Sequence, residues 1–238
     1  MPHYHRFFVP QEASDSGIVE LPQDEAHHAS RVLRLRQGDA VGLFDGHGRT
    51  WEGSIHEIDR RRAVVNCRPA VHHPAPDRRL TLVQAWLNHD KANATIVQRA
   101  AELGVVRVRF FKAAHSERPP RVDDKLRRLA AESCKQCGRA WMPELETCVD
   151  IQAGLAGLTG AKLLAALEGP FASLGYALSN HDEAAWLVGP EGDFSPGEID
   201  FARSAGAVLI SLGEATYRSE LAATLCIALV QYEWGELG

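Results

Sequence analysis

Short apolar runs broken by turn residues fill the first third of the chain, whereas apolar runs alternating with helix-spaced segments fill the rest. Residues 41–44, 51–55 and 62–65 are brief and are punctuated by turns such as the Asp-Gly-His-Gly at 45–48. That texture predicts the strands of a small barrel up to about residue 75, with a short helical patch over 27–35. His72-His-Pro-Ala-Pro76 ends the pattern, and two prolines in three residues predict a linker. The expected domains are therefore residues 1–75 and 76–238.

From Arg79 the rhythm changes. Residues 80–86, 105–111, 161–167, 185–188 and 207–212 read as strands, and 94–103, 122–137 and 220–234 as helices. Ile96, Val97, Ala100 and Leu103 keep helical spacing, and Gly104 is placed to end their helix. At Ser195-Pro-Gly-Glu198 a serine can cap, proline suits the first helical position, and Glu198 can complete a capping box; Gly206 closes that helix. The alternation predicts an α/β fold, a parallel sheet covered by helices.

Two glycine-bounded loops fall between these elements. One is Gly189-Pro-Glu-Gly-Asp-Phe-Ser195, and the other runs from Ser211-Leu-Gly213 to Tyr217-Arg-Ser-Glu220. At the carboxyl ends of neighbouring strands they would share one pocket lined by backbone, where open α/β sheets hold cofactors. The spacing is neither the dinucleotide G-x-G-x-x-G nor a Walker loop. Gly189 and Gly192 let the backbone approach a ligand, and Glu191 would repel a phosphate, which favours an uncharged or cationic ligand; an ordinary strand-to-helix turn has a similar composition. Arg218 and Glu220 lie where a loop enters a helix. The arginine can stabilise charge developing on a carbonyl-bearing base and the glutamate can accept a proton. The bland alternative is a mutual surface ion pair, worth about 0–1 kcal/mol.

Charge sharpens the picture. The formal net charge is −5, but residues 91–139 hold 12 Lys and Arg against 5 Asp and Glu, while residues 140–238 hold 3 against 14. A basic block followed by an acidic one suggests a phosphate-tracking surface, or else a solvated helix face. Arg6, Arg31, Arg34 and Arg36 are further candidates for RNA contact, with Phe7, Phe8 and Trp51 more suited to packing. Five cysteines form an odd set that fits reduced thiols. Cys134-Lys-Gln-Cys137 has C-x-x-C spacing without a second ligand pair, the histidines form no H-E-x-x-H, and no metal site is expected. The opening Met-Pro-His-Tyr-His-Arg has no apolar-cored leader, and no run approaches the roughly 18–20 apolar residues of a membrane span, so a cytoplasmic protein without a membrane partner is expected.

In these residues the chain resembles the RsmE-type 16S ribosomal RNA (uracil-N3)-methyltransferases of the SPOUT superfamily. His5-Arg-Phe-Phe-Val9, Arg34-Leu-Arg-Gln-Gly-Asp-Ala-Val41 and Phe44-Asp-Gly46 look like that family's PUA-like barrel. Gln98-Arg-Ala-Ala-Glu-Leu-Gly-Val105 and Glu132-Ser-Cys-Lys-Gln-Cys-Gly-Arg139 resemble its Q-K-A-T-E-L-G-V and E-x-x-E-Q-S-G-R segments, and the two glycine loops resemble its tail motifs.

The resemblance implies an amino-terminal PUA-like β-barrel and a carboxyl-terminal SPOUT domain with a deep trefoil knot, an exception to the rule that chains do not thread loops. It implies a homodimer acting on 16S rRNA of the small ribosomal subunit. S-adenosylmethionine would lie against Leu167, Glu168 and Gly169, Gly189, Pro190, Glu191 and Gly192, Ser211, Leu212 and Gly213, and Tyr217. Arg218 and Glu220 would serve the uridine, and Arg139 would join the RNA-binding arginines. The chain departs from the family at Leu221, where a threonine is usual, at Asp193 for glycine, and at Cys137 for serine. The competing readings are a SPOUT-type enzyme acting on a ribose or another base, and a non-catalytic RNA-binding assembly factor.

Overall fold

Alternating burial along the amino-terminal strands produces the first of two sheets. The computed structural model describes residues 5–9 and 17–237; the first four residues, which bear on the leader expectation, lie outside them. The chain forms two compact units, Met1–Ala75 with Ala131–Met142, and Pro76–Ala130 with Pro143–Gly238.

The first unit holds β1 (His5–Phe8), β2 (Ile18–Glu20), β3 (Ala40–Phe44), β4 (Arg49–Ile58), β5 (Ala63–Cys67) and β6 (Val71–His72). Their order is β1-β3-β4-β5-β2, with β6 against β4. The β1–β3 pair is parallel and the others are antiparallel. Phe7, Val41, Leu43, Trp51, Ile55 and Val65 point to one side and form the core. Part of the expected linker is thus strand, since Val71 and His72 pair with β4. The helical patch begins earlier than its apolar spacing suggested: α1 (Gln23–His27) continues into a π-helical turn over His28–Val32.

Ala131–Met142 belongs to this unit. The Arg6 guanidinium donates to the carbonyls of Cys134 and Arg139, both at 3.0 Å, and lies 4.7 Å from the Phe44 ring centroid. Lys135 Nζ reaches both carboxylate oxygens of Glu25, at 2.8 and 2.9 Å. Burial pushes the Glu25 carboxyl above its ordinary range, while Lys135 pulls against that rise.

The second unit contains β7 (Arg79–Ala85), α2 (Asp90–Glu102), β8 (Arg107–Phe111), β9 (Glu144–Cys148), α4 (Ile151–Leu155), β10 (Ala161–Ala165), α5 (Leu174–Leu178), β11 (Glu183–Val188), α6 (Pro196–Ser204), β12 (Val208–Ile210) and α7 (Ser219–Glu233). The helix α3 (Asp124–Cys137) begins in this unit and ends in the other. Six strands pair in parallel in the order β12-β10-β11-β7-β8-β9. Val83, Phe111, Leu164, Leu187 and Leu209 fill one core on this sheet.

Three elements here escape the periodicity. The Glu144 and Glu146 side chains of β9, an edge strand, bond Arg107 and Arg109 of β8, so it carries charge instead of an apolar run. The helices α4 and α5 have five residues each, too few to show a helical period.

Candidate active site

The strand order corrects one expectation about the two loops. They leave β11 and β12, which are not neighbours; β10 lies between them. The loop after β10 therefore fills the middle of the site, and the turn from β7 into α2 closes its far side. Together these four carboxyl-terminal strand ends enclose a cleft of about 940 Å³, placed where parallel sheets hold ligands.

Loop shape on the β11 side follows from local bonds. Asp193 adopts φ +61° and its carboxylate accepts the Phe194 N–H at 2.8 Å. His115 Nδ1 lies 2.9 and 3.0 Å from the Gly192 and Asp193 carbonyls, which makes it their donor. A Cβ at Gly189 would lie 3.2 Å from Phe194 and one at Gly192 3.1 Å from His115, so glycine fits both places closely. The capping box of α6 forms in both directions: Ser195 Oγ accepts the Glu198 N–H at 3.4 Å, and Glu198 Oε2 accepts the Ser195 N–H at 2.8 Å. Glu191 is exposed, and its Oε1 accepts the Asn88 N–H at 3.1 Å, tying this loop to the β7–α2 turn.

On the β12 side, Ser211 Oγ accepts the Gly213 N–H at 3.1 Å. Gly213 has φ +106°, and a side chain there would project into open space. The two loops are joined beneath the cleft by a buried network. Ser219 Oγ donates to the Gly189 carbonyl at 2.6 Å and accepts from Gln84 Nε2 at 3.0 Å; Nε2 also donates to the Ala85 carbonyl at 2.9 Å. Gln84 is fully buried, and among the described residues its Oε1 has no hydrogen-bond partner.

Arg218 and Glu220 flank Ser219 and both line the cleft. They do not form the mutual ion pair that their spacing allowed; among the described residues neither side chain has an ion-pair partner. Leu167, Gly189, Pro190, Glu191, Leu212, Gly213 and Tyr217 also line it. Glu168, Gly169, Gly192 and Ser211 sit in the same loops without lining the cleft. Gly169 adopts φ +134° with a Cβ position 2.5 Å from Leu209, so its part is to let the loop pass β12.

Sequence reasoning missed His89, Lys91 and Thr95, which line the cleft from the start of α2. Only the polar residues just after an apolar run hinted at them. It also missed Gln84 and Ser219, for which no sequence signal stood out.

Of the arginines expected to meet RNA, Arg31, Arg34 and Arg36 are exposed. Arg6 is engaged inside the first unit by the two carbonyls described above, and the Arg139 carbonyl is one of them. No cluster of three or more His, Cys, Asp or Glu suited to a metal occurs among the described residues, and no helix there is long and apolar enough to cross a membrane.

Comparison with known proteins agrees with this layout. Residues 73–231 match a family model described as an RNA methyltransferase domain, and residues 21–66 match an RNA methyltransferase PUA domain. The chain is 28% identical over 241 residues to ribosomal RNA small subunit methyltransferase E of Rickettsia conorii, covering 96% of this chain and 95% of that one. It is 31% identical to a solved structure described as a probable rRNA methyltransferase from Porphyromonas gingivalis, with TM-score 0.82 and 96% and 97% of the two chains covered. The fold is also that of a small subunit methyltransferase E from Neisseria gonorrhoeae solved with S-adenosyl methionine, at 23% identity and TM-score 0.85, covering 97% of this chain and 98% of the other. The chain belongs to the RNA methyltransferase family, among the RsmE-type enzymes.

Proposed function

We propose that the cleft binds S-adenosylmethionine and that the protein methylates N3 of a uridine in 16S rRNA of the small ribosomal subunit. The observation that carries this reading is the meeting of glycine-shaped backbone and an uncommitted Arg218–Glu220 pair in one cleft. Its volume of about 940 Å³ suits a nucleoside-sized ligand with room for a base beside it. Gly213 leaves its flank open, and Glu191 and Asp193 line the wall without a phosphate cradle, which fits a cationic cofactor.

Leu167, Gly189 to Glu191, Leu212, Gly213 and Tyr217 would hold the cofactor, which supplies an electrophilic methyl group when bound. The acceptor nitrogen is protonated in uracil and occupied in pairing, so the base must leave its stack to enter the cleft. Glu220 takes the N3 proton, and Arg218 neutralises the charge that deprotonation leaves on the flanking carbonyls. Much of the acceleration comes from holding acceptor and methyl donor together.

The same reading extends to the finer architecture. The mixed sheet of the first unit closes into a PUA-like barrel, with Arg31, Arg34, Arg36 and Arg139 on its RNA-binding side. The parallel sheet carries the deep trefoil knot of SPOUT enzymes. The protein is a cytoplasmic homodimer; exposed Leu221, Leu229 and Tyr232 on α7 are suited to burial by a second copy.

Mass spectrometry of rRNA nucleosides from a strain lacking the protein tests the reaction and substrate together. Loss of 3-methyluridine, restored by the wild-type gene but not by Arg218→Ala, is expected. Loss of a different methylated nucleoside would redirect the enzyme to another acceptor. An unchanged nucleoside profile, with no calorimetric binding of S-adenosylmethionine, would leave an RNA-binding assembly factor.

A further inference from the structure

Cys134 and Cys137 lie outside the methyl-transfer machinery, yet their setting is built. They stand three residues apart at the end of α3, on one face of its last turn. Helical geometry puts their Cα atoms roughly 5 Å apart, within the span a disulfide bridges. Cys134 is fully buried and Cys137 is exposed. The Cys137 thiol lies 3.9 Å from the Cys134 carbonyl, and that same carbonyl accepts Arg6 Nη1 at 3.0 Å, so a guanidinium and the outer thiol share one acceptor. Gly138, at φ +83°, follows directly and leaves the terminal turn free to tighten. Among the described residues no third donor joins the pair, and structural zinc takes four.

We propose that Cys137 is a nucleophilic thiol that reacts with hydrogen peroxide and is resolved by Cys134 into a disulfide within the helix. The Cys137 thiolate attacks one peroxide oxygen; an S–O bond forms as the O–O bond breaks, and the departing hydroxide becomes water. The Cys134 sulfur then attacks Cys137, an S–S bond forms, and the hydroxyl leaves with the Cys134 proton as a second water. Two thiols lose two electrons and one peroxide gains them.

The electrostatics run the same way. The neighbouring Cys134 thiol, then the backbone and charge of Arg139, draw the Cys137 thiol below its ordinary value against partial burial, and the Cys134 thiol rises in turn. Burial instead pushes Cys67 up to about 11 and raises Cys148 and Cys226. Serine keeps the size and polarity of the cysteine side chain, so Cys137→Ser is a conservative control.

The test uses the full chain at pH 7, with peptide mapping after iodoacetamide and after hydrogen peroxide. Cys137 is expected to alkylate at least about tenfold faster than Cys148, and the rate to fall as pH drops. Peroxide is expected to remove the Cys134 and Cys137 thiols together, with loss of two hydrogens in mass. Cys134→Ser should stop at a sulfenic acid trapped by dimedone on Cys137, and Cys137→Ser should protect Cys134. Alkylation of Cys137 no faster than Cys148 overturns the proposal, as does a peroxide-treated chain with Cys134 and Cys137 unlinked. Both of these readings come from the wild-type chain and hold whether or not the variants fold.

Discussion

Ser219 turns inward between two residues that face the cleft. Its hydroxyl gives its hydrogen to the Gly189 carbonyl and takes one from Gln84, so one side chain ties the start of α7 to the β11 loop and to β7. Ser219→Ala leaves a buried donor and a carbonyl short of partners, which costs about 1–3 kcal/mol. Urea unfolding is expected to show that loss, and calorimetry a several-fold weaker affinity for S-adenosylmethionine; an unchanged unfolding midpoint would refute the tie. Asp45 illustrates a different balance. Burial, the largest influence, pushes its carboxyl up, but the Arg49 side chain and the His47 and Arg49 N–H groups together bring it below its ordinary 3.8. A folded value below the unfolded one adds stability that is present above about pH 4 and lost as pH falls through the folded value. The wild-type melting temperature should therefore fall more steeply between about pH 4 and pH 2 than that of Asp45→Asn; parallel curves would exclude the linkage. Neither side chain was legible in the sequence. Ser219 sits between the two residues whose chemistry stands out and Asp45 in an ordinary turn, and their importance comes from residues brought close only by folding.

At the scale of elements, backbone conformation decides where strands begin. Gly160 precedes β10 with φ +73°, and a Cβ there would lie 2.0 Å from the Glu183 carbonyl oxygen, beside the first β10–β11 pair, Ala161 with Ala184. Gly160→Ala must shift that backbone and hold alanine in a left-handed conformation. A loss of about 2–3 kcal/mol is expected by chemical denaturation, and a loss under about 0.5 kcal/mol would show that the turn relaxes freely. Much at this scale was readable in advance. The Ser195–Glu198 box, the stop at Gly104 and the strands from β7 to β12 other than β9 rest on local chemistry that a sequence displays. The placing of β10 between β11 and β12 does not, because the pairing of parallel strands is a tertiary choice. That is also why the glycine loops could be named as one pocket while the contribution of the β7–α2 turn, with His89, Lys91 and Thr95, was missed.

Across the whole molecule, charge is segregated along the chain in a way the net value of −5 conceals. Within the basic segment many cations are already paired: Arg107 with Glu144, Arg109 with Glu146, Arg118 with Asp90 and Lys135 with Glu25. Arg121, Lys125 and Arg127 differ, being exposed and, among the described residues, without an ion-pair partner. If RNA is the partner, these are among the cations free to displace counterions from phosphates. Each such contact adds about 0.7 to the steepness with which affinity for a single strand falls with salt. Replacing all three by alanine should therefore flatten the log–log salt dependence of RNA binding by about 2, and weaken binding to specific and unrelated RNA alike. Affinity for S-adenosylmethionine should stay the same, since none of the three lines the cleft. A variant with the wild-type salt slope would assign the basic segment to solvation and leave RNA capture to the exposed arginines of the first unit, Arg31, Arg34 and Arg36.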